Sequence, residues 1–145
     1  MTIDPADYVA IVDLASTYCD AVNRGAAAQI GQLFGEDGIL TGVTQLAGQS
    51  ERDLIGENEI QAFFQPMLDG VMIHQTPSVS NIRVDNSRAQ SKTSVVEYVR
   101  MKGYPLMLYI GDYYDSLVRI PDGWRYARRR LEVRNIAALS EVASG

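Results

Sequence analysis

Between positions 6 and 24 the apolar residues return at helical spacing. At about 100° per residue, Ile11, Ala15, Tyr18 and Val22 form one narrow stripe, with Leu14 on one side and Val12, Cys19 and Asn23 on the other. Asp13 and Asp20 fall opposite, so the spacing predicts an amphipathic helix with one buried face. Asp4 and Pro5 suit its cap and first turn, and Gly25 suits its end. A second, shorter helix over 26–34 carries Ile30, Leu33 and Phe34. Residues 38–43 can form a strand, followed by a polar, turn-rich stretch to Arg52. Gly56 then opens a third helix. Glu57 and Glu59 sit in its first turn, where the helix dipole favours acids, and Ile60, Phe63, Phe64 and Met67 are its apolar face.

From Val71 onward the period becomes two. Long strands are predicted over 72–84, 89–101, 106–120 and 124–134, with Pro77 at an edge or bulge. Lys102-Gly103 and Pro121-Asp122-Gly123 are turns, and tight turns between consecutive long strands make neighbours antiparallel. Residues 136–145 read as a loose tail. With no repeat, low-complexity stretch or linker, the chain is one domain over 1–135 plus that tail. The fold class is α+β: a cone-shaped barrel in which a curved antiparallel sheet wraps around three N-terminal helices. A ligand would enter at the mouth of the cone.

Composition narrows the function classes. The chain has 145 residues, 46% of them hydrophobic and 21% charged, which is globular and not disordered. A net charge of -5 argues against nucleic acid as a partner. No apolar run approaches the about 20 residues of a membrane span, and the N-terminus lacks a secretory pattern, so a cytoplasmic protein is expected. A single cysteine, Cys19, rules out an intrachain disulfide and a cysteine metal cage. Arg125, Arg128, Arg129, Arg130 and Arg134 crowd the last strand. They read as solvated arginines of an edge or interface strand, or else as an anion-contacting patch.

Candidate chemistry centres on His74, the only histidine and so the only side chain that titrates near neutrality unperturbed. Strand parity carried past Pro77 puts it on the interior face with Ile82 and Val84. There it would serve as general acid or base, or as a hydrogen-bonded core residue. Tyr18 points inward, to pack or to hold a substrate oxygen. Tyr109, Tyr113 and Asp115 share one face of their strand, with Asp112 and Tyr114 on the other, and alternation alone leaves open which face lines the pocket. Arg129 shares a face with Ala127 and Leu131, and once buried it needs a carboxylate such as Asp115 or Glu97. No glycine-rich phosphate loop or serine elbow is present, and one histidine without a cysteine cluster argues against a zinc or iron site. No metal and no cofactor are expected.

The run from Ile11 to Gly25, Leu33-Phe34-Gly35-Glu36-Asp37-Gly38, and Gly56 followed by Ile60 and Phe63-Phe64 resemble SnoaL-like proteins of the nuclear-transport-factor-2-like superfamily. So do Gly111, Tyr113, Asp115, Leu117-Val118-Arg119, Gly123-Trp124-Arg125 and Arg129, over about residues 8–131 in all. The superfamily includes dehydratases, isomerases, polyketide cyclases, a dehydrochlorinase, dioxygenase β subunits and non-catalytic binding proteins. His74 falls where many members carry a histidine. In the dehydratases and dehydrochlorinase a carboxylate late in the first helix orients it, and Asn23 stands at that position here. An amide can orient a ring but supplies no charge.

The resemblance implies a cofactor-independent lyase or isomerase acting on a hydrophobic, oxygenated cyclic small molecule. His74 would move a proton, Asn23 would orient it and Tyr18 would hold an oxygen. Tyr113, Tyr109, Asp115 and Arg129 would contact substrate. The alternative is a non-catalytic binding protein or an accessory, dioxygenase β-subunit-like chain. A homodimer joined through the outer face of the sheet is also expected, with arginines meeting Glu97, Asp112, Asp115 or Glu132 across the two-fold axis.

Overall fold

The computed structural model describes residues 2–142. Three helices lie in the first half of the chain: α1 (Pro5–Asn23), α2 (Ala27–Gln32) and α3 (Gly56–Leu68). Asp4 caps α1 by accepting from the Ala6 N–H at 2.8 Å, and Pro5 fills the first turn. The predicted stripe is the buried one, with Ile11, Ala15, Tyr18 and Val22 against the sheet and Asp13 and Asp20 in solvent. Gly25, at φ 68°, ends the helix in the left-handed region. In α3, Ile60, Phe63, Phe64 and Leu68 are buried. Among the described residues, no helix is long and apolar enough to cross a membrane.

The six strands are β1 (Phe34–Thr41), β2 (Leu54–Ile55), β3 (Met72–Asp85), β4 (Arg88–Arg100), β5 (Pro105–Ile120) and β6 (Gly123–Val142). They form one mixed sheet in the order β2-β1-β6-β5-β4-β3. Every neighbouring pair is antiparallel except β1 with β6. The sheet curves over the helices without closing, leaving β2 and β3 as edges, and with the three helices it makes the expected α+β fold. The expected loose tail is corrected in part: residues 136–142 continue β6, pairing Ile136 with Tyr109 and Ala138 with Met107. Residues 143–145 lie outside the described residues.

Three one-residue bulges re-aim the strands. In β3 the pairing jumps from Ser80↔Lys92 to Arg83↔Gln90, one extra residue around Asn81, whose φ is 55°. The inward positions are Ile73, Gln75, Pro77 and Val79 before it and Ile82 and Val84 after it. In β6 extra residues fall at Ala127 and Arg134, so Trp124 and Tyr126 point inward and then Arg129 and Leu131 do. β4 runs without a bulge, and Ala89, Ser91, Thr93, Val95, Glu97 and Val99 all face the helices.

Candidate active site

Between α1, α3 and the inner face of the sheet lies a narrow slot. Tyr18 and Val22 of α1, Phe64 of α3, Val43 and Leu46 of the turn after β1, and Ile73, Val95 and Leu131 of the sheet make it largely apolar. About 550 Å³ is free of atoms if solvent at the mouth is counted, yet only about 40 Å³ admits the centre of a water molecule. The slot is therefore tight, with room for a few waters.

Five polar side chains break its apolar lining: Tyr18, Gln75, Glu97, Tyr109 and Tyr113. Three of them form a row, because Gln75 pairs with Glu97 and Glu97 with Tyr109 across β3, β4 and β5. Gln75 Nε2 donates to Glu97 Oε1 at 3.0 Å, and the Cys19 thiol donates to Gln75 Oε1 at 3.1 Å. The thiol thereby fixes which end of the Gln75 amide meets the carboxyl. Among the described residues, no lysine or arginine forms an ion pair with Glu97. Burial pushes its carboxyl up to about 7, against a smaller downward pull from the Gln75 hydrogen bond. Tyr109 is raised as well, by burial and then by the Glu97 charge. Deeper in, the Tyr18 and Tyr113 hydroxyls meet at 3.4 Å, and burial holds both phenols protonated.

Arg129 and Asp115 stand behind this wall, not in it. Their side chains are fully buried, joined by Nε to Oδ1 at 2.7 Å and Nη2 to Oδ2 at 3.2 Å. Thr93 also donates to Asp115 at 2.7 Å. The guanidinium lies 4.4, 3.9 and 4.2 Å from the ring centroids of Tyr18, Tyr113 and Tyr126. Burial would lower the arginine's pKa, but Asp115 and the surrounding oxygens overcome it and the net shift is upward. Nη1 is the one buried side-chain polar atom among the described residues without a hydrogen-bond partner. The ring faces around the guanidinium are what stabilise it instead. The expected partnership of Arg129 with Asp115 is present, and neither residue lines the slot.

His74 does not face the interior. It is exposed on the outer face, opposite Tyr98, and its neighbour Gln75 takes the inward position. The Asn81 bulge is the reason, since parity counted back from Ile82 and Val84 is wrong by one residue before it. Asn23 bonds the main chain of Gln75 in both directions, with Gln75 N–H to Oδ1 at 2.6 Å and Nδ2 to Gln75 O at 3.0 Å. It positions that strand and orients no imidazole. Of the residues expected to form the site, Tyr18, Tyr113 and Tyr109 share the slot. Gln75 and Glu97 line it without having been expected to. For Glu97 the signal existed, because it is in phase with Val95 and Val99 on a strand without a bulge.

The SnoaL-like domain profile matches residues 5–130. This chain belongs to the SnoaL-like family. Its fold is shared with solved structures at low identity. A Mycobacterium tuberculosis protein of unknown function, solved as a single-residue variant, has a TM-score of 0.74 at 21% identity, over 93% of this chain and 79% of that one. A scytalone dehydratase-like protein from Novosphingobium aromaticivorans has 0.74 at 18%, over 96% and 91%. A type 2 hexachlorocyclohexane dehydrochlorinase has 0.73 at 14%, over 97% and 93%. No curated protein matches this SnoaL-like chain in sequence.

Proposed function

We propose that this SnoaL-like protein is a lyase or isomerase acting on a hydrophobic, oxygenated cyclic small molecule, with Glu97 handing a proton to the substrate's oxygen. One observation carries the reading: a carboxyl with no cationic partner among the described residues lines a largely apolar slot that three tyrosines also line. Such a carboxyl titrates near neutrality, where proton transfer is best matched to its task. The fold relatives described as dehydratase and dehydrochlorinase types support the same class.

In a dehydration, the carbon–oxygen bond breaks with its electron pair on the departing hydroxyl. That hydroxyl takes the Glu97 proton and leaves as water, while the α-carbon proton passes to solvent and the carboxyl is reprotonated from solvent. The Tyr18 and Tyr113 hydroxyls hold the retained oxygen.

A panel of bicyclic β-hydroxy ketones tests this, with enone absorbance as the readout. The wild type should lose activity as pH rises through about 7. Glu97→Gln should lower kcat/KM by about 100-fold or more. Equal turnover by both proteins would refute the role of Glu97. A binding protein is the second reading, favoured by the use of Asn23 on the main chain and the exposure of His74. It predicts ligand uptake without turnover.

A further inference from the structure

We infer that the slot selects by charge: it takes an uncharged ligand with an acceptor oxygen, bound through the acid form of Glu97, and turns away carboxylates and amines. This rests on the slot's being the ligand site.

The polar inventory of the slot leads there. Its hydroxyls and amide are neutral, and Glu97 is the only lining side chain that carries a charge at any ordinary pH. Arg129, the only buried cation among the described residues, is fully covered behind the tyrosine rings and already holds Asp115. An anionic ligand would thus enter without a counter-ion and meet Glu97, a doubly unfavourable arrangement in a poorly solvated slot. A cationic ligand could pair only with ionised Glu97, and both charges would have to be stripped of water in a narrow, largely apolar slot. A neutral ketone, lactone or quinone oxygen meets neither penalty.

Geometry also assigns the proton. Glu97 Oε1 accepts an N–H from Gln75, an orientation fixed by Cys19, which leaves Oε2 to carry the acid proton and donate it to the ligand. Burial, which raises this carboxyl to about 7, keeps that form populated near neutral pH.

Three naphthalene probes of one shape distinguish the possibilities: acetonaphthone, naphthoate and naphthylmethylamine, titrated calorimetrically into the wild type and Glu97→Gln. If only the acid form binds, apparent affinity scales with its fraction. Acetonaphthone should then bind the wild type about tenfold or more weakly at about pH 8.5 than at about pH 5.5, and naphthoate should bind far more weakly than the ketone throughout. Glu97→Gln keeps a donor that does not titrate, so it should bind the ketone with no such pH dependence. Ketone binding that ignores pH in the wild type overturns the inference and leaves the slot as a ligand site. Preference for the amine, strengthening as pH rises, also overturns it and makes the slot a cation site. If no probe binds either protein, the slot is not a site for such ligands and the parent reading falls with this one.

Discussion

Glu97 shows how one residue can set the pH behaviour of a fold. Its pKa is raised on folding, from an ordinary carboxylate value to about 7, so between those values the folded state binds more protons than the unfolded one. Stability from this group is therefore fully present below the unfolded pKa and declines as pH rises through about 7. Asp7, Glu51 and Asp112 are shifted downward and contribute in the opposite direction, so the comparison needed is with Glu97→Gln. The variant should gain about 1–3 kcal/mol relative to the wild type at about pH 8 and nothing at about pH 4, measured by urea unfolding. His74→Ala gives the contrasting case. An exposed histidine on the outer face should change stability by no more than about 0.5 kcal/mol and leave turnover unchanged. A large loss of turnover in that variant would restore His74 as the proton carrier.

At the level of elements, helices and strands were legible because their apolar periods are unbroken: the stripe of α1 and the alternation of β4 each survive folding intact. Bulges were not legible, because an extra residue leaves no period of its own. Counting through Asn81 puts His74 inside, whereas counting along β6 places Arg129 correctly although the parity changes at Ala127. A tight crossing in the turn after β1 was hidden in the same way. Gly42 has a φ of 86°, and a Cβ there would lie 2.2 Å from the Leu131 carbonyl oxygen of β6. The Glu51 carboxylate accepts from its N–H at 2.8 Å and from the Thr41 and Thr44 hydroxyls, binding the turn that carries Val43 and Leu46 over the slot. Gly42→Ala should therefore lower stability by about 3 kcal/mol or more, whereas Gly48→Ala, with open space around its Cβ, should be limited to the about 1 kcal/mol of its left-handed backbone. Equal losses at the two glycines would show that the Leu131 contact does not matter.

Taken as a whole, the molecule keeps its helices on one face of an open sheet, and the other face carries Val96, Tyr98 and Tyr114, each more than a third exposed. We expect a homodimer through that face, but not one held by the ion pairs that residue composition suggested. Glu97 and Asp115 point inward, Asp112 is taken by Arg134 at 2.7 Å and Glu132 by Arg130, all within one chain. Few acids are left for the arginines of a second copy, so apolar burial must dominate. Light scattering should give about 32 kDa, twice the 16.0 kDa chain, and about 1 M salt should shift the dimer little. A mass that falls to the monomer's in salt would return the interface to charge.

The extra residue at Asn81 behaves like a frameshift in three dimensions. Upstream of it the odd positions of β3 look inward, and downstream the even ones do. Drawing Asn81 into the regular ladder while Ile82 and Val84 stay seated would rotate His74 into the slot and Gln75 out of it, whereas deleting Asn81 would leave both where they are. Within this family, then, a histidine aligned column by column to position 74 marks the same function only where the bulge is also the same. A residue that passes between bulged and paired at that point can convert one kind of site into another without the substitution of a single residue of the pocket wall.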